Sequence, residues 1–134
     1  MDISVICPIY NGEKYIRDLN NSLINQKNIK SFDITYLLTE SSDKSEEELK
    51  KINATYELIE QKDFSHSLTR EKAAYKAKGD IIVFITQDIK ILDDDFLYKL
   101  TKDIYNNLCD ASFAKQICDN KTIERYTRMS NYPN

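Results

Sequence analysis

Asp88 is the residue of this chain best placed to do chemistry. It ends the stretch Gly79-Asp80-Ile81-Ile82-Val83-Phe84-Ile85-Thr86-Gln87-Asp88. The apolar run Ile81 to Ile85 follows a glycine and is rich in β-branched types, so it reads as a strand buried on both faces. The polar Thr-Gln-Asp marks where that strand leaves the core, and in open α/β sheets this end is where ligands bind, because the loops there ring the crevice at which strand order reverses. A carboxylate is a hard oxygen donor that suits Mg²⁺ or Mn²⁺, and a cation held there can bridge to a diphosphate. The competing reading is a polar loop residue that caps whatever follows. Asp93-Asp94-Asp95 is a second acidic cluster, but Phe96, Leu97, Leu100, Ile104 and Leu108 follow it at helical spacing. It therefore reads first as an N-cap with favourable dipole contacts, and only second as a metal site.

Other reactive types are sparse. Cys7, Cys109 and Cys118 have no CxxC spacing and only His66 as a potential co-ligand, which supports neither a zinc site nor a disulfide framework. Cys7 reads as a small apolar core residue. Gly12 and Gly79 are the only glycines. A Walker A loop and a GxGxxG fingerprint both need several, so neither is present, and a bound diphosphate would have to be neutralised by metal or side chains.

The bulk composition narrows the classes further. A chain of 134 residues predicts one domain spanning 1–134 with a single core, and 41% apolar with 31% charged residues is an ordinary globular balance. A net charge of -3 and a pI near 5.2 argue against nucleic acid as a partner, since affinity for the phosphate backbone needs a basic face. The longest apolar run is too short to cross a bilayer and the first residues lead straight into a strand-like sequence, so a cytoplasmic location is expected.

The elements that would position Asp88 alternate between strand and helix. Ile3 to Cys7 reads as a strand ending at Pro8, with Pro8-Ile9-Tyr10-Asn11-Gly12 as the turn that leaves it. From Glu13 the pattern is helical, with Ile16, Leu19, Leu23 and Ile24 on one stripe. Asp33 to Thr39 is a second strand, and Ser45 with Glu48 matches a capping box opening a charged helix to about Ile52. Tyr56 to Ile59 reads as a short third strand near an edge. Asp63 to Arg70 reads as a loop, Glu71 to Lys78 as a helix with a small-residue face, and Gly79 as its C′ residue. After the strand at Ile81 to Ile85 come the helix from Phe96, a further strand over Ala111 to Ile117 and a helix over Lys121 to Met129. This order predicts an α/β fold: a doubly wound, mostly parallel sheet with helices on both faces.

Ile3-Ser4-Val5-Ile6-Cys7-Pro8-Ile9-Tyr10-Asn11-Gly12-Glu13-Lys14-Tyr15-Ile16, then Ser22-Leu23-Ile24-Asn25-Gln26, resembles the opening of family 2 glycosyltransferases, inverting enzymes of the GT-A fold. The resemblance continues through Arg70, Ala74 and Ala77-Lys78-Gly79-Asp80 into Thr86-Gln87-Asp88, which stands at the place of the family's Asp-x-Asp motif. Ile123-Glu124-Arg125-Tyr126 and Asn131-Tyr132-Pro133 are similar to members that build bacterial surface polysaccharides, rhamnosyltransferase-like ones included. The resemblance implies a nucleotide-diphospho-sugar donor, UDP- or dTDP-linked, and a glycan or lipid-linked acceptor met at the inner face of the membrane. It implies that Pro8, Ile9, Tyr10, Asn11, Glu40, Arg70 and Gln87 contact the nucleotide and that Asp88 holds Mg²⁺ or Mn²⁺.

The residues have chemistry to match. Tyr10 offers a flat face to a pyrimidine, or else packs half-buried. Arg70 offers a fork of donors to phosphate or orients Asp88, against the alternative of a surface salt bridge. His66 either lines the pocket or is a solvated loop residue. Thr86 replaces the first acid of Asp-x-Asp. Glu40 stands nearest the place of the acid that follows the second strand, although strict register puts Thr39 or Leu38 there. An inverting displacement needs a carboxylate to take the acceptor's proton, and none suggests itself. The expectation is a donor-binding portion with little transfer activity by itself; a non-catalytic nucleotide-sugar-binding module is the alternative. A receiver-type signalling domain ranks below both, since Pro8-Ile9-Tyr10-Asn11 and Glu60-Gln61-Lys62 do not supply its acids.

Overall fold

The computed structural model describes residues 2–114. In chain order the elements are β1 (Ile3–Ile9), α1 (Glu13–Ile24), β2 (Phe32–Thr39), α2 (Ser45–Lys51), β3 (Thr55–Ile59), a 3₁₀ turn (Gln61–Asp63), α3 (His66–Lys76), β4 (Ile81–Phe84) and α4 (Phe96–Tyr105). The four strands pair in parallel in the order β3-β2-β1-β4. The chain thus steps outward through β2 and β3 and then returns past β1, so strand order reverses between β1 and β4.

Helices cover both faces, as the alternation predicted. On one face Val5, Cys7, Ile9, Tyr36, Leu38 and Val83 pack with Ile16 and Leu23 of α1, Leu49 of α2 and Leu97 of α4. On the other face Ile6 and Leu37 pack with Ala73 of α3, backed by Ala74, Ala77 and Ile82. The small residues of α3 let it lie close to the sheet. Burial of this size is the main stabilising term, at about 25 cal/mol per Å² of apolar surface.

Several boundaries differ from the sequence expectation. β1 runs on through Pro8 to Ile9 rather than stopping at Cys7. The Ile6 carbonyl accepts from the Ile85 N–H, so the backbone groups of even-numbered β1 residues face β4. Pairing with β4 ends at Ile6↔Phe84, so the donorless Pro8 nitrogen faces a side with no partner strand to satisfy among the described residues. α3 begins at His66, five residues before the expected start, because Ser65 accepts the Leu68 N–H at its Oγ while donating its own N–H to Thr69 Oγ1.

β4 is an edge strand among the described residues rather than a central one, and Phe84 is 46% exposed rather than buried. Residues 111–114 are not in a strand. The rest of the expected strand at Ala111 to Ile117, the helix at Lys121 to Met129, Cys118 and the late family-like runs lie outside the described residues. Among the described residues no helix is long and apolar enough to cross a membrane.

Gly79 has no left-handed backbone and does not act as a C′ residue; Ala77 is the C-cap of α3. Its role is close approach. A Cβ there would stand 2.5 Å from the Ser4 nitrogen and 2.9 Å from the Ile3 carbonyl carbon, where the chain enters β4 beside β1.

Candidate functional site

The turn after β1 is held by side chains from three other segments. Asn11 has φ 45, a left-handed conformation that asparagine tolerates. Four successive amides then find side-chain acceptors: Tyr10 N–H on Gln87 Oε1 at 2.9 Å, Asn11 N–H on Ser41 Oγ at 3.0 Å, Gly12 N–H on Ser45 Oγ at 2.9 Å and Glu13 N–H on Asp43 Oδ2 at 3.1 Å. The N-cap amide of Gly12 and the first amide of α1, Glu13, are thereby taken up by side chains of the loop after β2 and the start of α2. Burial pushes the Asp43 carboxyl up, but hydrogen bonds from the Ser45 hydroxyl and from the Glu13 and Ser45 amides outweigh it and hold the group below its ordinary value. The capping box expected of Ser45 and Glu48 does not form. Ser45 serves Gly12, Asp43 receives the Ser45 N–H, and Glu48 pairs with Arg17 at 3.6 Å and Lys51 at 3.2 Å.

Beside this turn lies a cleft of about 320 Å³ at the C-terminal ends of the strands. Pro8, Ile9 and Tyr10 come from the end of β1, Thr39 from β2, and Thr86 and Gln87 from just past β4. Gln61, Phe64, His66 and Arg70 close it from the segment leading into α3. His66 and Arg70 are one turn apart on that helix, not on a loop, and Arg70 Nη1 donates to the His66 carbonyl at 2.8 Å. Phe64 meets His66 edge to face at 5.0 Å. No carboxylate among the described residues lies within salt-bridge distance of Arg70, which leaves its guanidinium hydrogen-bonding capacity for a ligand. Tyr10 is 47% exposed, and its hydroxyl faces Gln61 Nε2 at 3.5 Å.

The sequence-derived candidates thus divide. Pro8, Ile9, Tyr10, Arg70 and Gln87 line one cleft. Asn11 does not; its Oδ1 accepts the Ser42 N–H at 2.9 Å and ties the turn to the loop after β2. Glu40 does not either, and its carboxylate accepts the Gln61 N–H at 2.9 Å, which fixes the 3₁₀ turn. Thr39 lines the cleft in its stead. Thr39, Gln61, Phe64, His66 and Thr86 are the lining residues not among the nucleotide contacts the sequence suggested; the strand register points to Thr39, and the sequence reads His66 as either pocket lining or a solvated loop residue.

Asp88 is exposed on the turn after β4, one residue past the cleft lining. Burial pushes the Cys7 thiol up to about 12, the Arg70 charge pulling it down and the Asp88 charge pushing it further up, so both charges act on the end of β1. Among the described residues no three His, Cys, Asp or Glu side chains gather as a metal cage. One exposed carboxylate fits a cation that takes its remaining ligands from phosphates and water, as Mg²⁺ often does. The Asp93-Asp94-Asp95 run is spent on lysines: Asp93 and Asp95 share Lys99, and Asp94 pairs with Lys27 at 3.1 Å. The helix after it is capped by Gln26, whose Oε1 accepts the Leu97 N–H at 2.9 Å.

The family model for glycosyl transferase family 2 matches residues 4–134. No curated protein matches the chain. Among solved structures, S. aureus TarS aligns with a TM-score of 0.64 at 26% identity, covering 81% of this chain and 20% of TarS. Its 1–349 portion, solved in complex with UDP-GlcNAc, aligns with a TM-score of 0.63 at 27% identity over 79% of this chain and 32% of that one. Glucosyl-3-phosphoglycerate synthase from Mycobacterium tuberculosis, solved with Mn²⁺, UDP and phosphoglyceric acid, aligns with a TM-score of 0.62 at 20% identity and shares the fold. It is covered over 38% of its length by 76% of this chain. The chain therefore spans well under half of these proteins.

Proposed function

This chain belongs to glycosyl transferase family 2, and on that premise we propose that residues 1–134 form the donor-binding part of an inverting glycosyltransferase. The donor is a UDP- or dTDP-linked sugar, and the acceptor is a glycan or lipid-linked glycan at the inner membrane face, in the building of a surface polysaccharide. The observation that carries this reading is the meeting of the Tyr10 turn and the Thr86-Gln87-Asp88 segment on one rim of the sheet, over a cleft that also takes in Arg70. The binding of UDP and UDP-GlcNAc by TarS supports a uridine nucleotide as the first candidate.

In this reading Tyr10 stacks on the base and Arg70 gives planar donors to the diphosphate. A divalent cation on Asp88 would supply Lewis-acid stabilisation of the departing diphosphate. The protein's own part is to hold the donor against the rim, with Arg70 placed by its bond to the His66 carbonyl. Rhamnosyltransferase-like specificity belongs to this proposal as well.

One observation favours the second reading, a nucleotide-sugar-binding module without turnover: the described residues lining the cleft include no Asp or Glu to take an acceptor's proton. Calorimetry with UDP and dTDP, with and without Mn²⁺, and a transfer assay beside it, separate the two. Asp88→Asn should abolish the Mn²⁺-dependent part of nucleotide affinity and leave the fold intact. Unchanged Mn²⁺-dependent binding in that variant removes Asp88 from the mechanism.

A further inference from the structure

We propose that Gln87 is a positioning residue that fixes Tyr10 for the nucleotide through the backbone, rather than a nucleotide contact. This rests on reading the cleft as the nucleotide site. Parallel pairing between β1 and β4 stops at Ile6↔Phe84, with one more bond from the Ile85 N–H to the Ile6 carbonyl. The next β1 residue facing that side is Pro8, which has no N–H, and β4 ends there. Tyr10 is the following one. Its N–H donates to Gln87 Oε1 at 2.9 Å and its carbonyl accepts from Gln87 Nε2 at 2.9 Å.

One side-chain amide therefore does for Tyr10 what a neighbouring strand would do, with a donor and an acceptor presented together. The fit includes Gly12. A Cβ at that position would stand 2.5 Å from Gln87 Oε1, so the amide occupies the space that the absent side chain leaves. Gly12 has φ -106, which any residue adopts, so a side chain there would meet no backbone strain and would act by displacing the Gln87 amide. Gln87 also sits in sequence between Thr86, which lines the cleft, and Asp88. The base side and the diphosphate side of the cleft are thereby tied through a single residue.

The test is UDP affinity by calorimetry on the full chain, together with exchange of the Tyr10 amide by NMR. Gln87→Met keeps length and loses both bonds. Affinity should fall about tenfold, the range for two hydrogen bonds at a single site, and the Tyr10 amide should exchange faster without nucleotide. Gly12→Ala, which keeps Gln87 but displaces its amide, should reproduce both effects and serves if Gln87→Met does not fold. In a Tyr10→Ala background Gln87→Met should cost nothing further, because its effect passes through Tyr10. A loss that persists there means direct contact with the nucleotide and overturns the inference. So does parental affinity in both Gln87→Met and Gly12→Ala. Failure of the parent chain to bind UDP or dTDP, with or without Mn²⁺, removes the reading of the cleft and this inference together.

Discussion

Replacing Gly79 by alanine should destabilise the protein although it adds one methyl group to a residue with no special backbone angle. At an unhindered site this change stabilises by about 0.4–1 kcal/mol through the unfolded chain. Here the new Cβ would lie 2.5 Å from the Ser4 nitrogen, 2.7 Å from Ser4 Oγ and 2.9 Å from the Ile3 carbonyl carbon. Two of these are backbone atoms of β1, fixed on its other side by pairing with β2, so relief requires the entry to β4 to move. Overpacking of this kind costs about 1–3 kcal/mol. The Gly79 N–H bond to Ser4 Oγ at 2.9 Å would stretch or break, for about 0.5–1.5 kcal/mol more. The net expectation is a loss of about 2 kcal/mol. With a slope typical of a small domain, that lowers the urea midpoint by roughly 1 M at unchanged slope. Ser4→Ala cannot rescue the variant, since it leaves the backbone nitrogen in place. A Gly79→Ala protein as stable as its parent, or a double variant restored by Ser4→Ala, would refute the account of Gly79 as a point of close strand approach.

Asp43 predicts an acid dependence. Its carboxyl is held below the ordinary 3.8 in the folded chain, so its contribution is present above the unfolded value and disappears as pH falls through the folded one. Asp43→Asn should be less stable than the parent at pH 7, with the gap in urea midpoint closing below about pH 4; a gap independent of pH counts against the assignment. Gln26→Leu strips the buried Leu97 N–H of its acceptor and should cost about 1–3 kcal/mol. Faster amide exchange at the start of α4 is the local readout. Cys7 is fully buried and its thiol is pushed up to about 12, so alkylation at pH 8 should label the half-buried Cys109 in the native protein and reach Cys7 only at the rate of opening. Labelling of native Cys7 at the rate of Cys109 would contradict this burial.

The fold was largely legible because each element carries its own periodic pattern. Of the apolar stripe read as Ile16, Leu19, Leu23 and Ile24, the first three are the buried face of α1 while Ile24 at its end is exposed, and the β2 and β3 runs are strands that pair in parallel. The errors fall where a distant partner overrides a local preference. Proline reads as a strand terminator, and it does lack a donor, but the cost vanishes at Pro8 because the neighbouring strand has already ended on that side. Ser65-His66-Ser67 reads as loop because these residues are indifferent helix formers, and the bonds of Ser65 with Leu68 and Thr69 decide otherwise.

The site was legible to the level of the rim and not of its closure. A hydroxyl has the same donor and acceptors whichever amide it meets, so Ser45 looks like the cap of its own helix although it serves Gly12 from 33 residues away. Gln87 meets Tyr10 across 77 residues, and no local window contains both. What the chain does disclose is its glycine usage. Neither glycine has a positive φ, so neither is required by a turn. Each stands where atoms of a remote segment fill the space of its missing side chain: Gln87 over Gly12, and the Ser4 backbone over Gly79. In a chain this poor in glycine, the two positions mark the two ends of one contact, the start and the finish of β4 against β1, and that contact brings the Asp88 turn to the Tyr10 turn.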